Sequence, residues 1–243
     1  MSEYIPFYYI ILEFGIFLIL LSLILITLFK FNYKVSKVRY FILIFFLSYC
    51  LSVFFSVLTK YIKYQYDILP EDLDNFSQNY FINLILYARL KYLFTIFANQ
   101  IFFWAYYEIF SKPKSNYSIF VLNWTSILSV LYFVPIFSSI FNLILSIGLF
   151  IQSIFIYSPI MIESYRLVQN STSTTKRIMR DMLLMSSLLL SLLLVALLDR
   201  MYISFINPNN SPFYYVGWSV VLLAIIFAFI LFTYTATSII LLS

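Results

Sequence analysis

Histidine is absent from this chain of 243 residues. Imidazole acid–base chemistry and His-ligated metal sites are therefore excluded. The single cysteine, Cys50, can form neither an internal disulfide nor a thiolate zinc site. Glycine occurs three times, with no Gly-rich phosphate loop and no Gly-xxx-Gly pair. Charge is scarcer still: charged residues make up 10% of the chain, against about 25% in soluble domains. Fifteen basic and ten acidic side chains cannot cover the surface of a water-soluble fold of this length. Hydrophobic residues reach 63% and the mean hydropathy is +0.95. The chain reads as a polytopic membrane protein whose main partner is the lipid bilayer. Its net charge of +5 is dispersed, which argues against nucleic acid as a partner. No cofactor and no metal are expected.

The long runs between charges define the spans, because a hydrocarbon core about 30 Å thick needs ~20 apolar residues of helix. Tyr4 to Phe29 is interrupted only by Glu13, and Tyr40 to Thr59 is uncharged. Tyr92 to Tyr107 carries a third span. The next uncharged stretch runs from Ser115 to Ile162. As one helix it would extend about 70 Å, so Pro135 marks a hairpin of two spans. Met182 to Leu198 follows, and beyond the breaker Asn207-Pro-Asn-Asn-Ser-Pro212 comes a last span. These runs are too long and too continuously apolar for the strands of a membrane barrel.

The expected architecture is all-α: a single integral-membrane domain over 1–243 with seven transmembrane helices. They fall near 7–29, 40–59, 88–110, 116–134, 139–162, 182–200 and 213–240. With the N-terminus outside and the C-terminus inside, inner loops hold ten basic residues and the outer side five. The opening Met-Ser-Glu lacks a basic n-region, so the first run reads as a permanent helix. No soluble domain is expected at either end. Gln169 to Arg177 reads as a hydroxyl-rich inner linker. Serine stripes at four-residue spacing (Ser48, Ser52, Ser56; Ser187, Ser191) and Ala224/Ala228 suit close helix packing within the chain.

Ionisable residues within spans point to function. Glu13, Arg89 and Asp199 fall at one level, the outer third of the bundle. On the third helix Arg89, Tyr92, Asn99, Gln100 and Tyr107 share an arc of about 100°, with Lys91 on the opposite side. The candidate site is an outward-facing polar cavity formed by Glu13, Arg89, Tyr92, Asn99, Gln100 and Asp199. Arg89 is expected to pair with a carboxylate, and Asn99 and Gln100 to form the floor. The competing reading leaves all three charges as boundary residues solvated by headgroups and water. No catalytic, cofactor-binding or metal-ligating residue is expected. Paired intramembrane aspartates and metal motifs are missing, so the chain is not expected to be an enzyme. No Lys follows Lys176, so a retinal-binding rhodopsin is excluded as well.

The run Arg89-Leu-Lys-Tyr92 with Phe103-Trp104 and Glu108, Trp218 early in the last helix and the short inner connections carry a resemblance. The chain resembles the seven-transmembrane sensory regions that precede histidine kinases in prokaryotes. This implies a sensor- or receptor-like module with a small ligand at its outer end. Nothing follows Ser243, so its output is expected to pass through a separate cytoplasmic or membrane protein partner. A structural subunit of a larger membrane complex is the alternative, and a small transporter a third reading. The plasma membrane is the expected location, with an organellar membrane as the alternative; the oligomeric state is left open.

Overall fold

The computed structural model describes residues 7–30, 37–66, 79–109, 115–170 and 173–206, and beyond them residues 213, 216, 217, 219 and 223. All seven described elements are helices: α1 Phe7–Lys30, α2 Lys37–Gln65, α3 Tyr80–Leu86, α4 Arg89–Ile109, α5 Ser115–Tyr132, α6 Ser139–Asn170 and α7 Ser173–Phe205. Seven here does not mean the seven expected spans. The span near 88–110 is preceded by a short extra helix, α3, bent by 69° from α4. The last expected helix is represented only by the five helical positions from Phe213 to Leu223, and the rest of it lies outside the described residues. Three helices are long and apolar enough to cross a membrane, and four if α3 and α4 count as one bent span.

Several helices overrun the boundaries that charges suggest. Helix α2 continues through Lys60 and Lys63 to Gln65, α6 through Glu163 and Arg166 to Asn170, and α7 begins at Ser173. Lys, Arg and Glu are good helix formers, and their long stems let a helix continue past the apolar slab. Only residues 171–172 separate α6 from α7 among the residues expected to form a linker. The hairpin within the uncharged stretch turns at residues 133–138, around Pro135.

Helix α1 packs on α2, α2 on α3 and α4, α4 on α5 and α6, α5 on α6, and α6 on α7. This makes α4 the central helix, buried on nearly every side from Leu90 to Tyr107. Its contacts are aromatic and polar rather than aliphatic alone. Phe94 stacks on Phe55 of α2 with centroids 5.5 Å apart, and Phe102 packs on Tyr157 of α6 at 5.5 Å. The Ser48/Ser52/Ser56 stripe is buried, and Ser52 shares a hydrogen bond of 2.9 Å with Thr95 of α4. Ser187 and Ser191 instead lie toward the surface and donate to backbone carbonyls of their own helix, those of Leu184 and Ser187. Ala224 and Ala228 lie outside the described residues. Large apolar side chains such as Ile11, Leu18, Ile127, Ile140 and Ile144 point outward, the arrangement lipid favours and water penalises.

Candidate functional site

The six residues expected to line one cavity separate into three groups along α4. Arg89 forms the first. Its side chain is 1% exposed, yet it pairs with neither Glu13 nor Asp199. It clamps the α5–α6 turn instead. Nη1 donates to the carbonyls of Tyr132 (3.4 Å) and Val134, Nη2 to that of Ile136, and Nε to Oδ1 of Asn142 (3.3 Å). The guanidinium also lies over the rings of Phe137 (4.5 Å) and Phe141 (5.3 Å). The expected ion pair is thus corrected: the turn between the helices offers several carbonyls, and together they accept from more of the guanidinium's five N–H donors than one carboxylate would.

The clamp sits beside the α3–α4 break. Ala88 there has φ 56°, a left-handed conformation that costs an L-residue about 1–2 kcal/mol. The break is held from several directions. Asn79 caps α3 by accepting from the amides of Phe81 (2.9 Å) and Ile82 (3.4 Å). Thr59 of α2 donates to the Ile85 carbonyl at 2.7 Å, and the Ala88 amide bonds to the same carbonyl at 2.8 Å.

The second group gathers charges from four helices at the same end. Glu13 of α1 is fully buried and forms an ion pair with Lys60 of α2, whose side chain is 17% exposed. Tyr92 of α4 is buried, and its hydroxyl accepts from Nε of Arg200 on α7 at 3.0 Å. Lys91 does not point away as a rigid wheel implies. Its ammonium lies 5.4 Å from the Tyr92 ring, and its charge acts on Lys60. Asp199 also acts on Lys60, while its Oδ1 is buried without a donor among the described residues. Lys63, one turn beyond Lys60, feels the charges of Lys60 and Arg200. Glu13 and Asp199 therefore do join one charged group, but Glu13 pairs with Lys60 and Asp199 acts on Lys60 and Arg200, rather than either meeting Arg89.

The third group lies about 15 Å from Arg89 along α4, roughly half the thickness of a hydrocarbon core. Asn99 accepts at Oδ1 from the hydroxyls of Tyr157 (2.7 Å) and Tyr49 (3.4 Å). Gln100 Oε1 accepts from Thr125 of α5 at 2.8 Å, and Thr125 Oγ1 accepts from Gln152 Nε2 of α6 at 2.9 Å. Asn99 Nδ2, Gln100 Nε2 and Gln152 Oε1 are buried with no partner among the described residues. This belt ties α2, α4, α5 and α6 together rather than flooring a cavity shared with Glu13. Thr125 and Gln152 were missed because ranking intramembrane residues by charge passes over neutral amides. Gln152 is nonetheless the one glutamine in the uncharged stretch from Ser115 to Ile162, well inside it, and that was the available signal.

Among the described residues no group of His, Cys, Asp and Glu is arranged to hold a metal ion. Comparison with protein-family models, with curated proteins and with solved structures gives no match.

Proposed function

We propose that this chain is a non-enzymatic, seven-helix membrane protein of the sensor or receptor type, with its charged end facing out of the cell and its C-terminus inside. The observation that carries the reading is the convergence of Glu13, Lys60, Lys63, Lys91, Tyr92, Asp199 and Arg200 from α1, α2, α4 and α7 at one end of an otherwise apolar bundle. Ionisable groups are expensive at or near lipid depth and mark ligand or ion sites more often than packing contacts. The opposite end carries most of the chain's basic residues, which supports placing it inside and suits a separate signalling protein there. The plasma membrane is the setting that fits an outward-facing ligand site.

A small transporter is the second reading, favoured by the break at Tyr87–Ala88. That break lies at the charged end rather than at mid-depth, and Arg89, Asn79 and Thr59 hold the groups around it, which supports the receptor reading over a gate.

A sensor couples its two ends. In a Cys50→Ser background, spin labels on cysteines replacing Glu108 and Lys176, both exposed at the inner end, report that coupling. Breaking the outer ion pair with Lys60→Met should shift the inner-end distance distribution measured by electron–electron resonance in nanodiscs. Superimposable distributions would favour a static structural subunit.

A further inference from the structure

We infer that the amide belt binds a water molecule between α4, α5 and α6, held by the side chains of Gln100 and Gln152 beside Thr125. This site is separate from the charged end and does not depend on the reading given to that end.

Gln100 and Gln152 each carry two hydrogen-bonding ends, a carbonyl and an NH2. Thr125 takes one end of each: its hydroxyl lies 2.8 Å from Gln100 Oε1 and 2.9 Å from Gln152 Nε2. That hydroxyl has one proton to give, and the Val121 carbonyl stands 2.9 Å from it as well. The second end of each amide, Gln100 Nε2 and Gln152 Oε1, is buried without a partner among the described residues. Turning both amides over exchanges which residue offers the donor and which the acceptor, but one of each is still left over. The two ends of an amide share one carbon, so both leftover ends stay close to Thr125.

A donor and an acceptor flanking one hydroxyl suit a single water, which accepts from one amide and donates to the other. The site is closed, with Gln152 0% exposed and Gln100 7% exposed. One turn before Gln152, α5 and α6 are joined where Trp124 donates to the Gly148 carbonyl at 3.3 Å. The occupant is therefore small. All three side chains are neutral, which disfavours an ion at this depth, and lipid tails offer neither donor nor acceptor.

The test follows magnetisation passing from water to each glutamine NH2 by solid-state NMR. The full chain, labelled with nitrogen-15 at its glutamine side chains, is placed in deuterated phosphatidylcholine bilayers. Gln65 and Gln169, both exposed near helix ends, report bulk water. The Gln100 and Gln152 signals are assigned by their loss in Gln100→Met and Gln152→Met. Should either variant fail to fold, the shorter amides of Gln100→Asn and Gln152→Asn give the assignment. Both buried amides should receive magnetisation, more slowly than Gln65 and Gln169. Gln100→Met should cut the transfer to Gln152 severalfold, and Gln152→Met the transfer to Gln100. Thr125→Ser, which keeps the hydroxyl, should leave both unchanged. No transfer to either amide in the unaltered chain overturns the inference. So does a direct Gln100–Gln152 contact in place of transfer, because the two amides would then satisfy each other. Transfer to Gln152 that Gln100→Met leaves at its native level overturns it equally.

Discussion

Arg89 is a buried cation whose role follows from donor geometry rather than from charge pairing. Its loss takes a donor from the carbonyls of Tyr132, Val134 and Ile136, of which that of Val134 keeps the Ile136 amide at 2.8 Å, and a buried polar group left without its partner costs about 1–3 kcal/mol. Arg89→Ala should therefore destabilise the protein by about 1–3 kcal/mol on that count, read as a drop in unfolding temperature in detergent. Arg89→Lys should recover only part of it, because an ammonium cannot span the same carbonyls. Glu13 and Lys60 behave differently because each neutralises the other. Glu13→Gln or Lys60→Met alone leaves one buried charge unmatched, at a cost of about 3–5 kcal/mol. The double replacement should be less damaging than either single one, and a thermal-unfolding cycle over the four chains measures the coupling. Additive losses would mean that the two side chains do not act as a pair. In the amide belt, Thr125→Val removes the hydroxyl that links Gln100 to Gln152. It should cost about 1–3 kcal/mol by the same stranded-polar-group argument, with no effect on the charged end.

At the scale of helices, the sequence made the apolar runs legible and left their ends obscure. Charges at Lys60, Glu163 and Asp181 look like stops, but they are helical residues, because nothing in a Lys or Glu side chain breaks a helix at the membrane surface. Pro135 was readable as a turn because proline removes a donor where the chain must reverse. The α3–α4 break was not readable. Tyr87 and Ala88 carry no Gly or Pro signal, and the left-handed φ of Ala88 stands beside a contact from another helix, Thr59 to the Ile85 carbonyl, that only the folded chain brings there. Ala88→Gly relieves that conformation and should stabilise the protein by about 1 kcal/mol. Ala88→Val should destabilise it by more than that, since a β-branched residue tolerates positive φ worst. Unfolding midpoints of the two variants moving in the same direction would contradict the assigned backbone geometry.

For the molecule as a whole, the candidate site was legible in its level but not in its pairings. Counting residues from helix ends places Glu13, Arg89 and Asp199 at one depth, since an α-helix has a fixed rise. It cannot say which of several neighbours a flexible side chain reaches, and so Lys60 and Lys63 were left beyond the end of their span and Arg200 at the end of its own. The fold explains the difference: α4 is central, and its polar residues are divided among α2, α5, α6 and α7 instead of facing one cavity. The most direct measurement of this account is sidedness. In a Cys50→Ser chain, cysteines replacing Tyr66, exposed beyond the charged end, and Lys176, exposed near the start of α7, are treated in intact cells with a membrane-impermeant maleimide. Tyr66→Cys should react directly and Lys176→Cys only after permeabilisation. Labelling of both from one side, or the reverse order, would contradict a lipid-spanning bundle with its charged end outward.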